Sequence, residues 1–257
     1  MPETSARRVA LVTGAASGIG RAVSRLLSRE GWALALVDRN AAALDALART
    51  LTTAEAVAFA QDVSDDAAWA DTESALRERF GGLDGVVVNA GISESGTIAD
   101  LSFEAWRRVL SVNLDGTFLT LRTGMRLLRD GGAAVVVSSA SAVKAEPGVG
   151  AYGASKAAVL QLAKVAAREG AARGVRVNAI LPGGVETPIW RGMAFFDDLV
   201  AETGSEQAAF DRMAGFATPL GHYAKAEEIA GQIAFLLSPG ARTMTGASLV
   251  VDGGYTL

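Results

Sequence analysis

The sequence has 257 residues, half of them hydrophobic, and a formal net charge of −4. Such a chain can bury one large core, and its scattered basic residues leave no basic surface for nucleic acid or an anionic membrane. The chain has no cysteine and one histidine, which excludes disulfides, thiolate metal sites and histidine-rich metal centres. We therefore expect one domain over residues 1–257, without a metal site or a nucleic-acid partner.

The N-terminal segment does not have the pattern of a secretory signal. The apolar run that follows Arg7 and Arg8 is too short for a signal peptide. No window approaches the roughly 18 consecutive apolar residues of a membrane span. We therefore expect a cytoplasmic protein with no membrane partner.

Seven short apolar runs alternate with longer helix-like segments. Most of these runs are continuously apolar, as strands covered on both faces are, and the intervening segments are long enough for crossover helices. The pattern predicts an α/β fold, a Rossmann-like, doubly wound, seven-stranded parallel sheet with helices on both faces. Gly31 and Gly81 are predicted to follow helices, and Ser102 to cap one. The predicted strands are 8–14, 33–38, 56–62, 85–91, 133–139, 175–181 and 247–254.

A glycine-rich motif, TGAASGIG, follows the first predicted strand. Gly14, Gly18 and Gly20 allow a tight turn and a close approach of the backbone to a ligand, and the next helix offers its N-terminus to a pyrophosphate. The spacing is G-x-x-x-G-x-G and differs from the standard G-x-G-x-x-G fingerprint. An ordinary strand-to-helix turn is therefore the alternative interpretation.

An acidic residue, Asp38, ends the second predicted strand. In a dinucleotide site its carboxylate can accept hydrogen bonds from the adenosine ribose hydroxyls and would repel a 2′-phosphate. The sequence therefore predicts NAD as the cofactor, with NADP less favoured. Two alternatives stay open, because the neighbouring Arg39 could meet a phosphate and Asp38 could simply cap a helix.

Further short motifs follow in chain order, each near the end of a predicted strand or the start of the next helix. They are Asn89–Gly91, Ser139, Tyr152 with Lys156, Pro182–Gly183 and Asp252–Gly254. With the glycine motif, they resemble the short-chain dehydrogenase/reductase family of about 250 residues over nearly the whole chain. The resemblance implies NAD-dependent hydride transfer between a secondary alcohol and a ketone, in a homotetramer.

The chemistry of alcohol oxidation needs a general acid/base on the substrate oxygen. The phenol of Tyr152 can serve, and Lys156, four residues later on the same helical face, is expected to lower its pKa. Ser139 is predicted to hold the substrate oxygen, with Ser138 as the competing candidate. The resemblance implies that Lys156 also holds the nicotinamide ribose and that Asn113 widens a helix for a proton relay. A polar surface residue or a kink is the alternative for Asn113.

The resemblance also implies where the rest of the cofactor lies. Asp62 and Val63 are expected to bracket the adenine, although Asp62 could cap the helix that starts near Asp65. Thr187 and the backbone of Val185 are expected to bind the carboxamide, with an ordinary Pro–Gly loop as the alternative. The predicted cofactor-binding residues are Gly14, Ser17, Gly18, Ile19, Gly20, Asp38, Arg39, Asp62, Val63, Asn89, Ala90, Gly91, Tyr152, Lys156, Pro182, Gly183, Val185 and Thr187.

Residues 189–222 interrupt the rhythm of strands and helices. An insertion of this length between core elements is typical of a functional loop, and we predict a substrate-binding lid. Trp190 and Met193 are predicted to contact the substrate together with Ser139 and Ser141.

Two alternative functions remain open at this stage. One is an NADPH-dependent 3-oxoacyl thioester reductase, against which Asp38 and Ser17 argue, because NADP-binding relatives often have a basic side chain at the position of Ser17. The other is a non-catalytic NAD-sensing or scaffold protein, against which the presence of both Tyr152 and Lys156 argues.

Overall fold

The structure, a computed structural model, describes residues 7–52 and 55–257. Residues 1–6, which the predicted domain includes, and residues 53–54 lie outside the described residues. The strands are β1 (Val9–Thr13), β2 (Ala33–Asp38), β3 (Ala56–Ala60), β4 (Leu83–Val88), β5 (Leu128–Val137), β6 (Arg176–Pro182), β7 (Val185–Glu186), β8 (Ala224–Lys225) and β9 (Ser248–Val251). The helices are α1 (Gly18–Arg29), α2 (Ala41–Ala48), α3 (Asp66–Phe80), α4 (Phe103–Leu110), α5 (Gly116–Leu127), α6 (Gly150–Gly170), α7 (Ala194–Thr203), α8 (Glu206–Ala217) and α9 (Ala226–Leu237).

The main sheet has seven parallel strands in the order β3-β2-β1-β4-β5-β6-β9. In the centre, Val12 of β1 lies opposite Leu36 of β2 on one side and Val87 of β4 on the other. The predicted doubly wound parallel sheet is therefore confirmed. The strand order reverses between β1 and β4, and ligands of such sheets bind beyond the carboxyl ends of the strands at this point.

Successive residues of β1 point to opposite faces of the sheet, and each face has its own core. Leu11 packs in the same buried cluster as Trp69 of α3, whereas Val12 packs with Ile233 of α9. All four side chains are fully buried, which stabilises the fold by about 1.5–3 kcal/mol for each aliphatic side chain. Because both faces are covered, the strand ends are held in fixed positions.

Five strands end one to three residues earlier than predicted, and the two with the largest difference, β4 and β9, lead into motif residues. The run predicted over 85–91 leaves the sheet after Val88, because the Asn89 amide donates to the carbonyls of Thr13 and Gly14 at 3.0 and 3.3 Å. The run predicted over 247–254 ends at Val251, where Asp252 begins a turn. Both motifs therefore lie in loops at the carboxyl ends of their strands.

The capping residues of the helices show which of the residues predicted as caps have that role. Ser102 accepts a hydrogen bond from the Ala105 N–H and caps α4, as predicted, and Gly81 ends α3 with a positive φ of 68°. The caps of α2 and α3 are Asn40 and Asp65. Asp38 and Asp62 are therefore not helix caps.

The predicted lid, residues 189–222, contains α7 and α8 and packs around aromatic side chains of its own. Phe196 and Phe210 are buried against each other, with ring centroids 4.9 Å apart. Trp190 stacks on Tyr223, with centroids 5.9 Å apart and planes inclined by 12°. The short parallel ladder of β7 and β8 joins the two ends of this insertion.

None of the helices in the described part of the chain combines the length and the apolar character needed to cross a membrane.

Candidate active site

A cleft runs along the carboxyl ends of the central strands and consists of two adjoining cavities. The larger has a volume of about 580 Å³ and the smaller about 180 Å³. They share lining residues from the glycine motif, the end of β2 and the loop after β4. These shared residues are Gly14, Ser17, Arg39, Ala90, Gly91 and Ile92.

The structure brings nearly all the predicted site residues to this cleft. The larger cavity is lined, beyond the shared residues, by Gly18, Ile19, Asn89, Ser139, Ser141, Tyr152, Lys156, Pro182, Gly183, Val185, Thr187, Trp190 and Met193. The smaller cavity is lined by Asp38, Asp62 and Val63. Gly20 and Asn113 line neither cavity.

The glycine motif forms a tight turn at one wall of the cleft. Gly14 and Gly18 have φ angles of 63° and 47°, which favour glycine. Gly20 packs against this turn, since a Cβ there would lie 2.1 Å from the Gly14 carbonyl oxygen. Ser17, which precedes α1, makes no side-chain cap, so the first N–H groups of the helix are free to bind a phosphate.

The carboxylate of Asp38 is held rigidly beside the glycine motif. Its Oδ2 accepts from the Ala16 N–H at 3.0 Å and its Oδ1 from the Asn40 N–H at 3.0 Å. Each oxygen keeps a lone pair for a ribose hydroxyl. The Asp62 carboxylate instead accepts from the N–H and the hydroxyl of Ser64, at 2.8 and 2.7 Å.

The two serines after β5 have different environments. Ser138 is buried, and its hydroxyl donates to the Lys156 carbonyl oxygen at 2.7 Å. Ser139 lines the cavity with Tyr152, where its hydroxyl acts to lower the pKa of the phenol, and its Oγ accepts from the Ser141 N–H at 3.1 Å. The structure therefore brings Ser139, the favoured candidate, to the tyrosine and engages Ser138 with the backbone of α6.

The pKa shifts of Tyr152 and Lys156 follow from their burial. Burial raises the pKa of Tyr152 above its ordinary value of about 10, and the hydrogen bond from Ser139 partly opposes this. Burial lowers the pKa of Lys156 to about 8. Its Nζ donates to the Val137 carbonyl oxygen at 2.9 Å and lies 5.6 Å from the centre of the Tyr152 ring. Burial therefore sets the direction of the Tyr152 pKa shift in the chain itself, and the expected lowering of this pKa by Lys156 stays a prediction.

Asn113 lies behind the cleft, in a π-helical turn between α4 and α5. Its side chain is fully buried and exchanges hydrogen bonds with the backbone of Ile92, at 2.8 and 2.9 Å, and it donates to the Ser155 hydroxyl at 3.0 Å. The widened helix agrees with the expectation, and the surface interpretation is wrong. A Cβ on Gly91 would lie 3.3 Å from both Asn113 Oδ1 and Lys156 Nζ, so this glycine makes room for both groups.

The loop after β6 meets the glycine motif across the cleft. A Cβ on Gly18 would lie 3.3 Å from the Thr187 side chain, so the two walls are nearly in contact. The Gly183 N–H donates to the Val251 carbonyl at 3.0 Å, which fixes the loop to β9.

The larger cavity is also lined by residues that sequence reasoning did not assign. Ser93 and Ser95 follow the Asn89–Gly91 motif, Tyr223 follows the lid and Tyr255 follows the terminal glycine pair. Each of these residues lies close in sequence to a recognised motif or to the predicted lid, and this closeness could have identified them as cavity residues. Within residues 7–52 and 55–257, His, Asp and Glu side chains form no group that could hold a metal ion.

Comparison with known proteins identifies the chain. The family model described as enoyl-(acyl carrier protein) reductase matches residues 14–256. The chain is 36% identical to the NADP-dependent (R)-specific alcohol dehydrogenase of Lentilactobacillus kefiri, over 97% of this chain and 96% of the relative. It is 40% identical to the cis-4-hydroxycyclohexanecarboxylate dehydrogenase of Sinomonas cyclohexanicum, over 100% and 99%. A solved short-chain dehydrogenase/reductase from Brucella melitensis superimposes with a TM-score of 0.87, at 33% identity and over 97% of each chain.

This chain belongs to the short-chain dehydrogenase/reductase family. The predicted family, fold and reaction class are confirmed, and this short-chain dehydrogenase/reductase is an NAD(P)-dependent oxidoreductase that interconverts an alcohol and a ketone.

Proposed function

We propose that the chain interconverts a secondary alcohol and a ketone with NAD, using Tyr152 as general acid/base. The observation that carries this proposal is that Tyr152, Ser139 and Lys156 line one cavity together with the glycine motif, with Lys156 Nζ 5.6 Å from the centre of the Tyr152 ring. The residues along the cleft fit a dinucleotide, with free helix N–H groups near one end and a fixed carboxylate beside them. Bound NAD would supply the hydride acceptor.

In alcohol oxidation, the Tyr152 phenolate accepts the hydroxyl proton of the substrate while the Ser139 hydroxyl donates a hydrogen bond to the same oxygen. In ketone reduction the phenol returns the proton. Burial favours the neutral phenol, so the protein groups by themselves prepare Tyr152 for proton donation to a ketone. Lys156, whose ammonium lies beside Gly91, would hold the ribose of bound NAD and supplies a positive charge near Tyr152.

The preference for NAD rests on Asp38. Its carboxylate is fixed by two backbone N–H groups and faces the smaller cavity, where it would accept ribose hydroxyls and repel a 2′-phosphate. Arg39 lines the same cavity and offers a cation to such a phosphate, and the kefiri relative is described as NADP-dependent. Cofactor choice is therefore a direct test of the proposal.

We expect Asp38→Asn to raise the ratio of kcat/KM with NADP to kcat/KM with NAD by at least about tenfold, or about 1.4 kcal/mol. The substitution removes the charge that opposes the 2′-phosphate. Asp62→Asn is the matched control, because Asp62 lies near the expected adenine and should affect both cofactors alike. Initial rates with both cofactors measure the ratio. A wild-type preference for NADP would contradict the proposed specificity and favour the thioester reductase alternative.

We also propose that the chain forms a homotetramer, with α5 and α6 in an interface. Phe118 and Val165 are half-exposed on these helices, and Ala154 and Ala157 leave the surface of α6 open to close approach. The expected result is four copies per particle in size-exclusion chromatography with light scattering. A monomeric particle at micromolar concentration would contradict it.

A further inference from the structure

The turn at residues 252–256 carries Tyr255, which forms part of the wall of the larger cavity. The Asp252 carboxylate accepts from the N–H groups of Gly254 and Thr256, each at 2.9 Å, and so fixes the turn. The Leu220 N–H donates to the Gly253 carbonyl at 3.1 Å and joins the turn to the end of the lid. Tyr255 is thereby placed in the wall of the cavity that contains Tyr152.

The Tyr255 side chain is held from the opposite side by the loop that follows Ser139. Lys144 Nζ donates to the Tyr255 carbonyl oxygen at 2.6 Å and lies 3.9 Å from the centre of its ring. The Tyr255 hydroxyl donates to Glu146 Oε1 at 2.7 Å. These contacts hold both ends of the residue, so the ring cannot turn away without breaking a hydrogen bond and a cation–π contact.

Tyr255 lies outside the part of the cleft that is expected to bind adenosine. It lines the larger cavity and does not line the smaller one, where Asp38 and Asp62 lie. Hydrogen bonds connect its turn to Leu220 at the end of the predicted lid and to Lys144 in the loop that follows Ser139.

We propose that Tyr255 is a specificity-determining residue that limits the size of the group on the reacting carbon, and that Lys144 and Glu146 position it. This inference rests on the proposed alcohol and ketone chemistry. The fixed ring occupies part of the cavity wall and thereby limits the size of the substituent that fits beside it. Removal of the ring enlarges the cavity at that end without touching the residues near Tyr152.

The test compares reduction of 2-butanone and acetophenone with NADH by the full-length chain. Tyr255→Ala should raise the ratio of kcat/KM for acetophenone to that for 2-butanone by at least about tenfold. Tyr255→Phe, the matched control, keeps the ring and its contact with Lys144 but loses the hydrogen bond to Glu146, so the ratio should rise by no more than about two- to fivefold. NADH affinity, measured by fluorescence titration, should stay the same in both variants.

The positioning residues are tested by the same ratio. Lys144→Met and Glu146→Ala should each raise it by about two- to fivefold through a freed ring, and Lys144→Arg should keep the wild-type value. A merely structural role would lower both rates equally and leave the ratio unchanged.

An unchanged ratio in Tyr255→Ala would overturn the inference, and Tyr255→Leu replaces that variant if it does not fold. Failure of the wild-type chain to reduce either ketone or to oxidise any secondary alcohol would overturn the proposed function instead.

Discussion

Tyr152→Phe is expected to lower kcat by at least about a hundredfold in both directions, the lower end for loss of a positioned acid/base. The substitution removes one oxygen atom, which is the atom that Ser139 contacts in the cavity. The phenyl ring keeps the packing of the site, so NADH affinity should change by less than about threefold. Steady-state rates and fluorescence titration measure the two quantities separately.

The matched control for this change is Tyr223→Phe. Tyr223 lines the same cavity, but its ring packs in the aromatic cluster of the lid, where it stacks on Trp190. Its replacement should leave kcat within about threefold.

Ser139→Ala should lower kcat more than Ser138→Ala, because the Ser138 hydroxyl is already hydrogen-bonded to the backbone of α6. Full activity of Tyr152→Phe would exclude Tyr152 as the acid/base.

The raised pKa of Tyr152 has a consequence for pH dependence. The neutral phenol required for ketone reduction is present at neutral pH, whereas the phenolate required for alcohol oxidation becomes more abundant as pH rises. The rate of oxidation should therefore rise with pH over a range in which reduction is constant or falls.

Lys156→Met is expected to stabilise the ligand-free chain while nearly abolishing turnover. Lys156 is only 5% exposed, and burial lowers its pKa from 10.5 to about 8, which corresponds to about 3 kcal/mol of unfavourable charge burial at neutral pH. Loss of the hydrogen bond to the Val137 carbonyl offsets about 1 kcal/mol. We expect a net rise of about 2 kcal/mol in the free energy of unfolding at pH 7, measured by urea denaturation.

The lowered pKa of Lys156 determines how its effect on the free energy of unfolding depends on pH. Between pH 8 and 10.5 the unfolded chain binds more protons at Lys156 than the folded chain, so the wild type gains stability as pH rises through this range. The advantage of Lys156→Met should therefore be complete below about pH 8 and shrink above it. Lys164→Met, an exposed lysine on the same helix, should change stability by less than about 0.5 kcal/mol. Equal stability of the wild type and Lys156→Met at pH 7 would contradict a burial cost.

The features that were predictable from sequence are local ones. Continuous apolar runs identify the strands, and the positions of Gly14 and Gly18 identify the turn, because each feature depends on neighbouring residues. The order of motifs along the chain also brings Tyr152, Lys156 and Ser139 to one edge of the sheet, since parallel strands end there.

The features that sequence reasoning missed depend on distant contacts. Lys144 and Tyr255 are 111 residues apart in the chain, so their contact follows from packing and not from any local pattern. The raised pKa of Tyr152 likewise comes from how deeply the assembled site buries the phenol, whereas the i, i+4 spacing indicated only the neighbouring charge. Strand ends shifted where Asn89 and Asp252 bond to loop backbone.

Phe195 and Phe196 are adjacent in the lid but have opposite environments. Phe196 is 1% exposed within the aromatic cluster, whereas Phe195 is 50% exposed and lines the larger cavity. The lid thus has a core that is separate from the two cores of the sheet. Substitutions at Phe195 can therefore change substrate selectivity at little cost in folding stability, which makes the lid an independently evolvable module and a suitable target for directed evolution.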